Sequence, residues 1–190
     1  VNHIGLTGGV VVAVCLLLAA GATAQDTRLL LRVHESGRYL VDGDGTPFFW
    51  LGDTAWGLFG RLSEEEAADY LDDRAAKGFN VVQAIVAWRG PLPNYQGELP
   101  WIDGDPARPN PAYFDWVARV VEMAAERDII MALLPAWGDM VVKSEVLNEG
   151  NAYTYGSWLG ARLGGYPNLV WVLGGDQPPT GYEEVFRRLA

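Results

Sequence analysis

Short apolar runs alternate along this chain with longer stretches in which apolar residues recur at helical spacing. The segments VVQAIVAW (81–88), IIMALLPAW (129–137) and NLVWVLGG (168–175) are nearly continuous apolar runs, and FFWLG (48–52) is a shorter one. Runs of this kind, without polar alternation, are typical of strands that are buried on both faces. The pattern therefore predicts four strands in the interior of the protein.

Each predicted strand is followed by a predicted helix. Residues 63–66 (SEEE) form a capping-box pattern, and the apolar stripe after them stops near Gly78, a residue type common at helix ends. Asn110 and Pro111 are favourable starting residues for a second helix. Two more helices are predicted, at 153–163 and after residue 180. The inward residues predicted for the first two helices are Ala67, Leu71, Ala75, Phe114, Val117, Val121 and Ala124.

Four strand-then-helix units in succession indicate a parallel sheet with helices packed on it, because parallel neighbours need crossover connections. Two architectures compete. An open, doubly wound sheet is expected to carry a phosphate-binding glycine loop after its first strand, and WLGDTAWGLFG fits neither the dinucleotide fingerprint nor the P-loop. A (β/α)8 barrel needs about 250 residues, so four units are about half of one. The predicted fold class is α/β of the (β/α)8 TIM-barrel type, with the N-terminal half of the barrel preceded by a β-hairpin.

The N-terminus carries a pattern typical of export. Residues 1–24 contain an apolar run followed by Ala22-Thr23-Ala24, a small-residue cleavage pattern, and predict a signal peptide that is removed before Gln25. A transmembrane anchor is the alternative, because this segment contains no Lys or Arg. The apolar run is short for a span of about 20 residues, which favours cleavage. The expected location is secreted or periplasmic.

The rest of the chain divides into two predicted parts. Residues 25–47 predict a hairpin whose turn is DGDG (42–45) and whose second strand runs on through Phe48 to Leu51. Residues 48–190 predict the N-terminal part of the barrel. This gives three segments, which are the signal peptide, the hairpin and the partial barrel.

Composition and charge narrow the choice of partners. The formal net charge is −10, which disfavours nucleic acid and anionic membranes. The single cysteine, Cys15, lies in the predicted signal peptide, and one histidine is left after it, so no metal site and no cofactor is expected. Eight Trp and eight Tyr suit neutral, hydroxyl-rich ligands such as sugars, although core packing is the ordinary role of any single tryptophan.

Polar and aromatic residues stand at the carboxyl ends of the predicted strands, where functional side chains of barrels collect. These ends are GDTAW (52–56), AWR (87–89), AWGD (136–139) and GGDQ (174–177). Asp176 is the candidate catalytic residue, because many glycosidases use two carboxylates that flank the scissile bond. Its alternative role is that of a turn former or helix N-cap.

Two further polar residues are candidate substrate contacts. Asp53 follows the first apolar run, and its carboxylate suits sugar hydroxyls, although hydrogen bonds within its own loop are the alternative. Gln83 lies inside the second run, so it either forms a core hydrogen bond or faces the mouth of the barrel.

Three long segments carry a family resemblance. Residues 48–83 (FFWLGDTAWGLFGRLSEEEAADYLDDRAAKGFNVVQ), 111–139 (PAYFDWVARVVEMAAERDIIMALLPAWGD) and 148–176 (NEGNAYTYGSWLGARLGGYPNLVWVLGGD) resemble the apiosidase-like (DUF4038) catalytic domain of bacterial glycoside hydrolases, which is related to glycoside hydrolase family 140. The resemblance covers about residues 35–190. It implies a (β/α)8 barrel, an exported polysaccharide-degrading enzyme, and Asp176 in the place of the catalytic aspartate after strand four. The family's second catalytic carboxylate, a glutamate on a later strand, falls beyond Ala190.

The function predicted from these observations is that of a secreted glycoside hydrolase fragment. It would cleave glycosidic bonds in plant-type or other complex polysaccharides by two-carboxylate catalysis, and would be inactive without the second carboxylate. The alternatives are a non-catalytic carbohydrate-binding protein with the same aromatic rim and, less favoured, another barrel chemistry such as a lyase. The predicted site consists of Asp176 as general acid/base and of Asp53, Trp56, Gln83, Trp137 and Asn151 as substrate contacts.

Overall fold

The computed structural model of the chain describes residues 27–88 and 92–190. The predicted signal peptide, residues 1–24, lies outside the described residues and stays a prediction, as do the boundaries drawn between the three segments. Within the described part of the chain, no helix combines the length and the apolar character needed to cross a membrane.

The N-terminal segment begins with a 3-10 turn and forms a small antiparallel hairpin of β1 (Arg32–Val33) and β2 (Leu40–Val41). The turn between these strands lies at residues 34–39, where the N–H of the first residue donates to the carbonyl of the last (2.9 Å). The DGDG sequence forms a second turn, after β2, in which the Asp42 carboxylate accepts two backbone N–H groups. The predicted DGDG turn is confirmed, since Val41 pairs antiparallel with Pro47 across it and the N–H of Phe48 donates to the carbonyl of Leu40 (2.8 Å). This pairing stops at Phe48 and does not run on to Leu51 as predicted, and the earlier turn at residues 34–39 was not predicted.

A four-stranded parallel sheet follows, with its strands in sequential order. Its order confirms the four predicted strand-then-helix units. The first strand is shorter than predicted and begins later, and the last one ends before the glycines that were expected to close it. The strands are β3 (Gly52–Thr54), β4 (Val81–Ala87), β5 (Ile130–Ala136) and β6 (Leu169–Trp171).

The predicted helices all form, and two short ones accompany them. The capping box is present, since the Ser63 hydroxyl accepts from the N–H of Glu66 and the Glu66 carboxylate accepts from the N–H of Ser63. Asn110 caps the helix that starts at Pro111, as its position predicts. The helices are α1 (Leu58–Arg61), α2 (Glu64–Ala76), α3 (Pro111–Ala125), α4 (Asp139–Val142), α5 (Ala152–Leu163) and α6 (Glu183–Leu189), and a further 3-10 turn is Ile102–Gly104.

The two faces of the sheet are covered differently. On the outer face, side chains such as Val82 and Leu133 join one large core with the buried residues of α2, α3, α5 and α6. On the inner face, the smaller cluster around Val81 and Ile130 is covered by the N-terminal segment, including Phe48. Because the helices pack on the same face, the sheet is not doubly wound, and its inner face corresponds to a barrel interior.

Candidate active site

The carboxyl ends of the parallel strands meet at one edge of the sheet, where three tryptophans cluster. Trp56 and Trp88 both contact Trp137, with ring centroids 5.4 Å and 6.5 Å away, and the second pair is stacked. Buried side chains of the inner face, Ile85 and Leu134, support the cluster from below. Trp137 is only 7% exposed, so it holds its two neighbours in place more than it faces solvent. The cluster gives the rim an apolar platform of the kind that sugar rings contact.

Asp176 lies in the loop that leaves the fourth strand, and it is exposed. The ladder continues one residue past β6, since the N–H of Val172 donates to the carbonyl of Leu133 (2.9 Å). The chain then passes through two glycines, the second of which packs against Trp137, and reaches Asp176. The structure therefore places this carboxylate on the rim, at the end of the strand named by the sequence, and open to solvent.

The backbone conformation before Asp176 requires glycine at both Gly174 and Gly175. Their φ angles are +114° at Gly174 and +154° at Gly175, a region that other residues rarely adopt. A Cβ atom on Gly175 would lie 2.9 Å from the backbone nitrogen of Gly138 and 3.4 Å from the indole of Trp137. The glycines therefore let the loop after β6 pass against the loop after β5, so that the backbone just before Asp176 lies against Trp137.

The side chain of Asp53 lies on the outer face of the sheet and points toward the helices. Asp53 lies within β3, paired with Val82, whose side chain belongs to the helix-covered core. Its carboxylate accepts hydrogen bonds from the Tyr70 hydroxyl (2.9 Å) and the Arg74 guanidinium (2.8 Å), both on α2. Burial, and then the hydrogen bond to Asp53, raise the pKa of Tyr70 well above its ordinary value, so the phenol stays a neutral donor. This geometry joins strand to helix, and a substrate contact by Asp53 stays a prediction without support from its surroundings.

Gln83 lies on the inner face, as one of its two predicted settings requires. It pairs with Thr54 on one side and Ala132 on the other, and residues paired in this way share a face of a parallel sheet. The described part of the chain offers its amide no hydrogen-bond partner, so the side chain is available to a ligand in the barrel mouth.

Asn151 precedes α5 on the same rim, but its amide is used within its own loop. The NH2 group donates to the carbonyl of Val146 (2.8 Å), and the amide oxygen accepts from the N–H of Asn148 (2.9 Å). A contact with substrate through this side chain would require one of these bonds to break. The structure therefore brings Trp56 and Trp137 into contact, places the residue before Asp176 against Trp137, and holds the Asn151 side chain in hydrogen bonds within its own loop.

A cavity of about 270 Å3 lies beside the tryptophan cluster. It extends between the loop after β3 and the end of β4. Trp88, which lines it, was predicted at a strand end but was not among the predicted substrate contacts. Burial raises the pKa of Tyr113 well above its ordinary value, and its hydroxyl donates to the carbonyl of Val86 (2.6 Å). The lining residues are Trp56, Gly57, Gly60, Arg61, Ile85, Trp88, Leu92 and Tyr113.

Among residues 27–88 and 92–190, no group of three or more His, Cys, Asp or Glu side chains is placed to hold a metal ion. The chemistry that these residues offer at the rim is therefore that of a carboxylate, an amide and indole rings.

Solved structures of glycoside hydrolases share the fold of this chain. The chain matches a glycoside hydrolase family 5 protein from Bacteroides vulgatus ATCC 8482 with a TM-score of 0.77 and 34% identity, over 84% of this chain and 35% of that one. A structure described as a glycoside hydrolase matches with a TM-score of 0.77 and 32% identity, over 84% of this chain and 37% of that one. An exo-beta-1,4-mannosidase from Opitutaceae bacterium strain TAV5 shares the fold at 18% identity and a TM-score of 0.63, over 83% of this chain and 32% of that one. Fold and rim together define a partial barrel of the glycoside hydrolase class, which confirms the predicted fold.

The family follows from a second comparison. The family model of the apiosidase-like catalytic domain matches residues 34–190. The chain therefore belongs to the apiosidase-like catalytic domain family, and the resemblance carried by its three long segments is confirmed. The chain spans only 35% of the length of the Bacteroides vulgatus protein and 37% of the length of the second glycoside hydrolase. No curated protein matches the chain.

Proposed function

We propose that this chain forms the N-terminal part of the catalytic barrel of an exported glycoside hydrolase, with Asp176 as its general acid/base. The observation that carries the proposal is the exposed position of Asp176 in the loop after the fourth strand, directly after Gly175, which packs against Gly138 and the indole of Trp137. Membership in the apiosidase-like family supports the reaction class. Export rests on the signal peptide predicted for residues 1–24.

The proposed chemistry is the transfer of a proton at the glycosidic oxygen. Asp176, in its carboxylic acid form, donates its proton to the leaving oxygen as the bond to the anomeric carbon breaks. A second carboxylate acts as the nucleophile, or activates the water that attacks the anomeric carbon. We assign this second group to the part of the barrel that the matching structures contain beyond the span shared with this chain, so residues 25–190 by themselves should not hydrolyse substrate.

The binding chemistry follows from the rest of the rim. Indole faces contact the C–H faces of sugar rings and exclude water from them, which suits the exposed surfaces of Trp56 and Trp88. The free amide of Gln83 on the inner face can donate to, and accept from, sugar hydroxyls. The substrate class that we propose is therefore a complex polysaccharide, of plant type or otherwise, bound at the carboxyl ends of the strands.

The test is the substitution Asp176→Asn in the full-length protein, assayed on two kinds of glycoside. General acid catalysis contributes about 10²-fold to 10⁴-fold, so kcat/KM should fall by that order on substrates whose leaving groups need protonation. The loss should be much smaller on activated aryl glycosides, because their leaving groups depart as stable anions.

A matched control is Asp69→Asn, which removes an exposed carboxylate from α2 on the helix-covered side of the sheet. This variant should keep the wild-type rate on both substrates. Equal losses on both substrates for Asp176→Asn, or near-normal turnover, would remove the acid role from Asp176. Sugar binding by a wild-type protein that hydrolyses neither substrate would favour a non-catalytic carbohydrate-binding protein instead.

A further inference from the structure

The strand β5 contains a proline, Pro135, one residue before its carboxyl end. In a parallel ladder, alternate residues of a strand bond to the same neighbour, each through its N–H and its carbonyl. The N–H of Met131 donates to the carbonyl of Asn168 (2.7 Å). The carbonyl of Leu133 accepts from the N–H of Val172 (2.9 Å). The odd-numbered residues of β5 therefore bond to β6, and Pro135 is the next in this series.

Pro135 interrupts the ladder, because proline has no backbone N–H. Any other residue at this position could donate to the carbonyl of Val172. Among the described residues, no backbone hydrogen bond joins β5 to the chain beyond Val172. The chain leaves the sheet at this point and turns through Gly174 and Gly175 to reach Asp176.

The carbonyl of Pro135 accepts a hydrogen bond from a side chain instead. The hydroxyl of Tyr155, a residue of α5, donates to it (2.9 Å). In a continued ladder this carbonyl would accept from the N–H of Gly174, two residues after Val172. The proline thus removes the donor of the next ladder step, and the tyrosine satisfies its acceptor.

The ring of Tyr155 is held independently of its hydroxyl. It is fully buried and contacts Trp101 and Phe114 edge-on, with ring centroids 5.5 Å and 6.3 Å away. Burial raises the pKa of Tyr155 well above its ordinary value, so the hydroxyl stays a neutral donor. Phenylalanine at this position would keep these ring contacts and remove the hydrogen bond alone.

We propose that Tyr155, acting with Pro135, is a positioning residue for the loop that carries Asp176. The two residues end the pairing of β5 with β6, and the released backbone crosses Gly138 instead of continuing along β5. The two loops run close together there, since a Cβ atom on Gly138 would lie 3.3 Å from the carbonyl oxygen of Gly174. The inference rests on the proposed function for the acid role of Asp176, but the path of the loop does not depend on that role.

The test is the substitution Tyr155→Phe in the full-length protein. Without the hydroxyl, the carbonyl of Pro135 can accept from the N–H of Gly174, which draws the loop back toward β5. Hydrogen exchange measured by mass spectrometry should then slow in the peptide that contains Gly174. A displacement of about 1 Å can cost about 10²-fold, so kcat/KM should fall about 10-fold to 10²-fold on a glycoside whose leaving group needs protonation. The loss on an activated aryl glycoside should be much smaller, because the displaced group is the acid.

Two further variants assign the effect to the end of the strand. The control Tyr166→Phe removes a hydroxyl that donates to the carboxylate of Glu122 (2.8 Å) and lies before β6, at its amino end. It should keep the wild-type exchange and the wild-type ratio of the two kcat/KM values. Pro135→Ala gives β5 an N–H that can donate to the carbonyl of Val172, so it should slow exchange and lower the ratio in the same direction as Tyr155→Phe. Circular dichroism melts check that each variant is folded.

The outcomes separate this inference from the proposed function. Slower exchange in Tyr155→Phe supports the role of Tyr155 in the path of the loop even if Asp176→Asn shows no dependence on the leaving group. A folded Tyr155→Phe protein with wild-type exchange, or with equal losses on both substrates, overturns the inference even if the acid role of Asp176 is established. If Tyr155→Phe does not fold, the same two measurements on Pro135→Ala decide.

Discussion

Asp53 lies in the first strand of the sheet and Asp176 follows the last, yet the two carboxylates lie in different layers of the molecule. Asp53 faces the helices and accepts hydrogen bonds from Tyr70 and Arg74. Asp176 lies on the open rim and is exposed. The Asp53 carboxylate has its hydrogen-bond donors within the helix-covered layer, whereas the rim presents Asp176 and Gln83 to a ligand. Substitutions in the first layer should therefore cost stability, and those on the rim should cost binding or catalysis.

The largest expected difference between the two layers is in the stability lost when a leucine side chain is shortened. Leu71, on the inward face of α2, is fully buried, and Leu71→Ala should lower the free energy of unfolding by about 2–5 kcal/mol. Leu173, on the loop that leads to Asp176, is 41% exposed, and Leu173→Ala should cost less than about 1 kcal/mol. Urea denaturation of both variants in the full-length protein tests this. Similar losses in the two would show that the rim loop is packed as tightly as the helix layer.

A smaller effect is expected where the rim loop does depend on packing, at Gly175. Its φ of +154° and the short distance from a Cβ atom to Gly138 mean that Gly175→Ala should cost about 1–3 kcal/mol. Such a change should also displace Asp176, so turnover should fall more than stability explains.

Gly160 supplies the control for this substitution. It lies within α5, and a Cβ atom there would meet nothing within 4 Å. Gly160→Ala should therefore be neutral or stabilising by about 0.4–1 kcal/mol. Thermal melts and kcat for the two variants check both statements, and a Gly175→Ala protein with normal stability and activity would contradict the packing described for the two loops.

The helix-covered layer could be predicted well from the sequence, because helix caps and apolar stripes are formed by residues that lie close together along the chain. The capping box at Ser63, the N-cap at Asn110 and the buried stripe that includes Leu71 are all found where their spacing places them. Four successive strand-then-helix units were sufficient to predict a parallel sheet, since few other connections bury continuous apolar runs. These features need no knowledge of distant contacts.

Features that depend on exact strand boundaries were less predictable. Side chains alternate between the two faces of a strand, so a strand that begins at Gly52 turns Asp53 toward the helices, whereas Asp53 was expected at an open strand end. The DGDG turn was predicted, but the earlier turn around Gly37, which has a φ of +70° and lies between β1 and β2, was not. Trp88 was not chosen as a substrate contact because the cavity that it lines joins segments that are distant in sequence.

The most direct test of the contrast between the two layers compares Asp53→Asn with Asp176→Asn in the same full-length protein, by thermal unfolding and by kcat on a glycoside with a poor leaving group. Asp53→Asn weakens the bonds to α2 and should cost about 1–3 kcal/mol, or about 2–4 °C in Tm for each kcal/mol, while most of kcat remains. Asp176→Asn should melt within about 2 °C of the wild type, because a surface substitution costs little, and should lose about 10²-fold to 10⁴-fold in kcat. A stable Asp53→Asn protein with a comparable loss of kcat, or an unstable Asp176→Asn protein that keeps its activity, would contradict the assignment of structural and catalytic roles to these two aspartates.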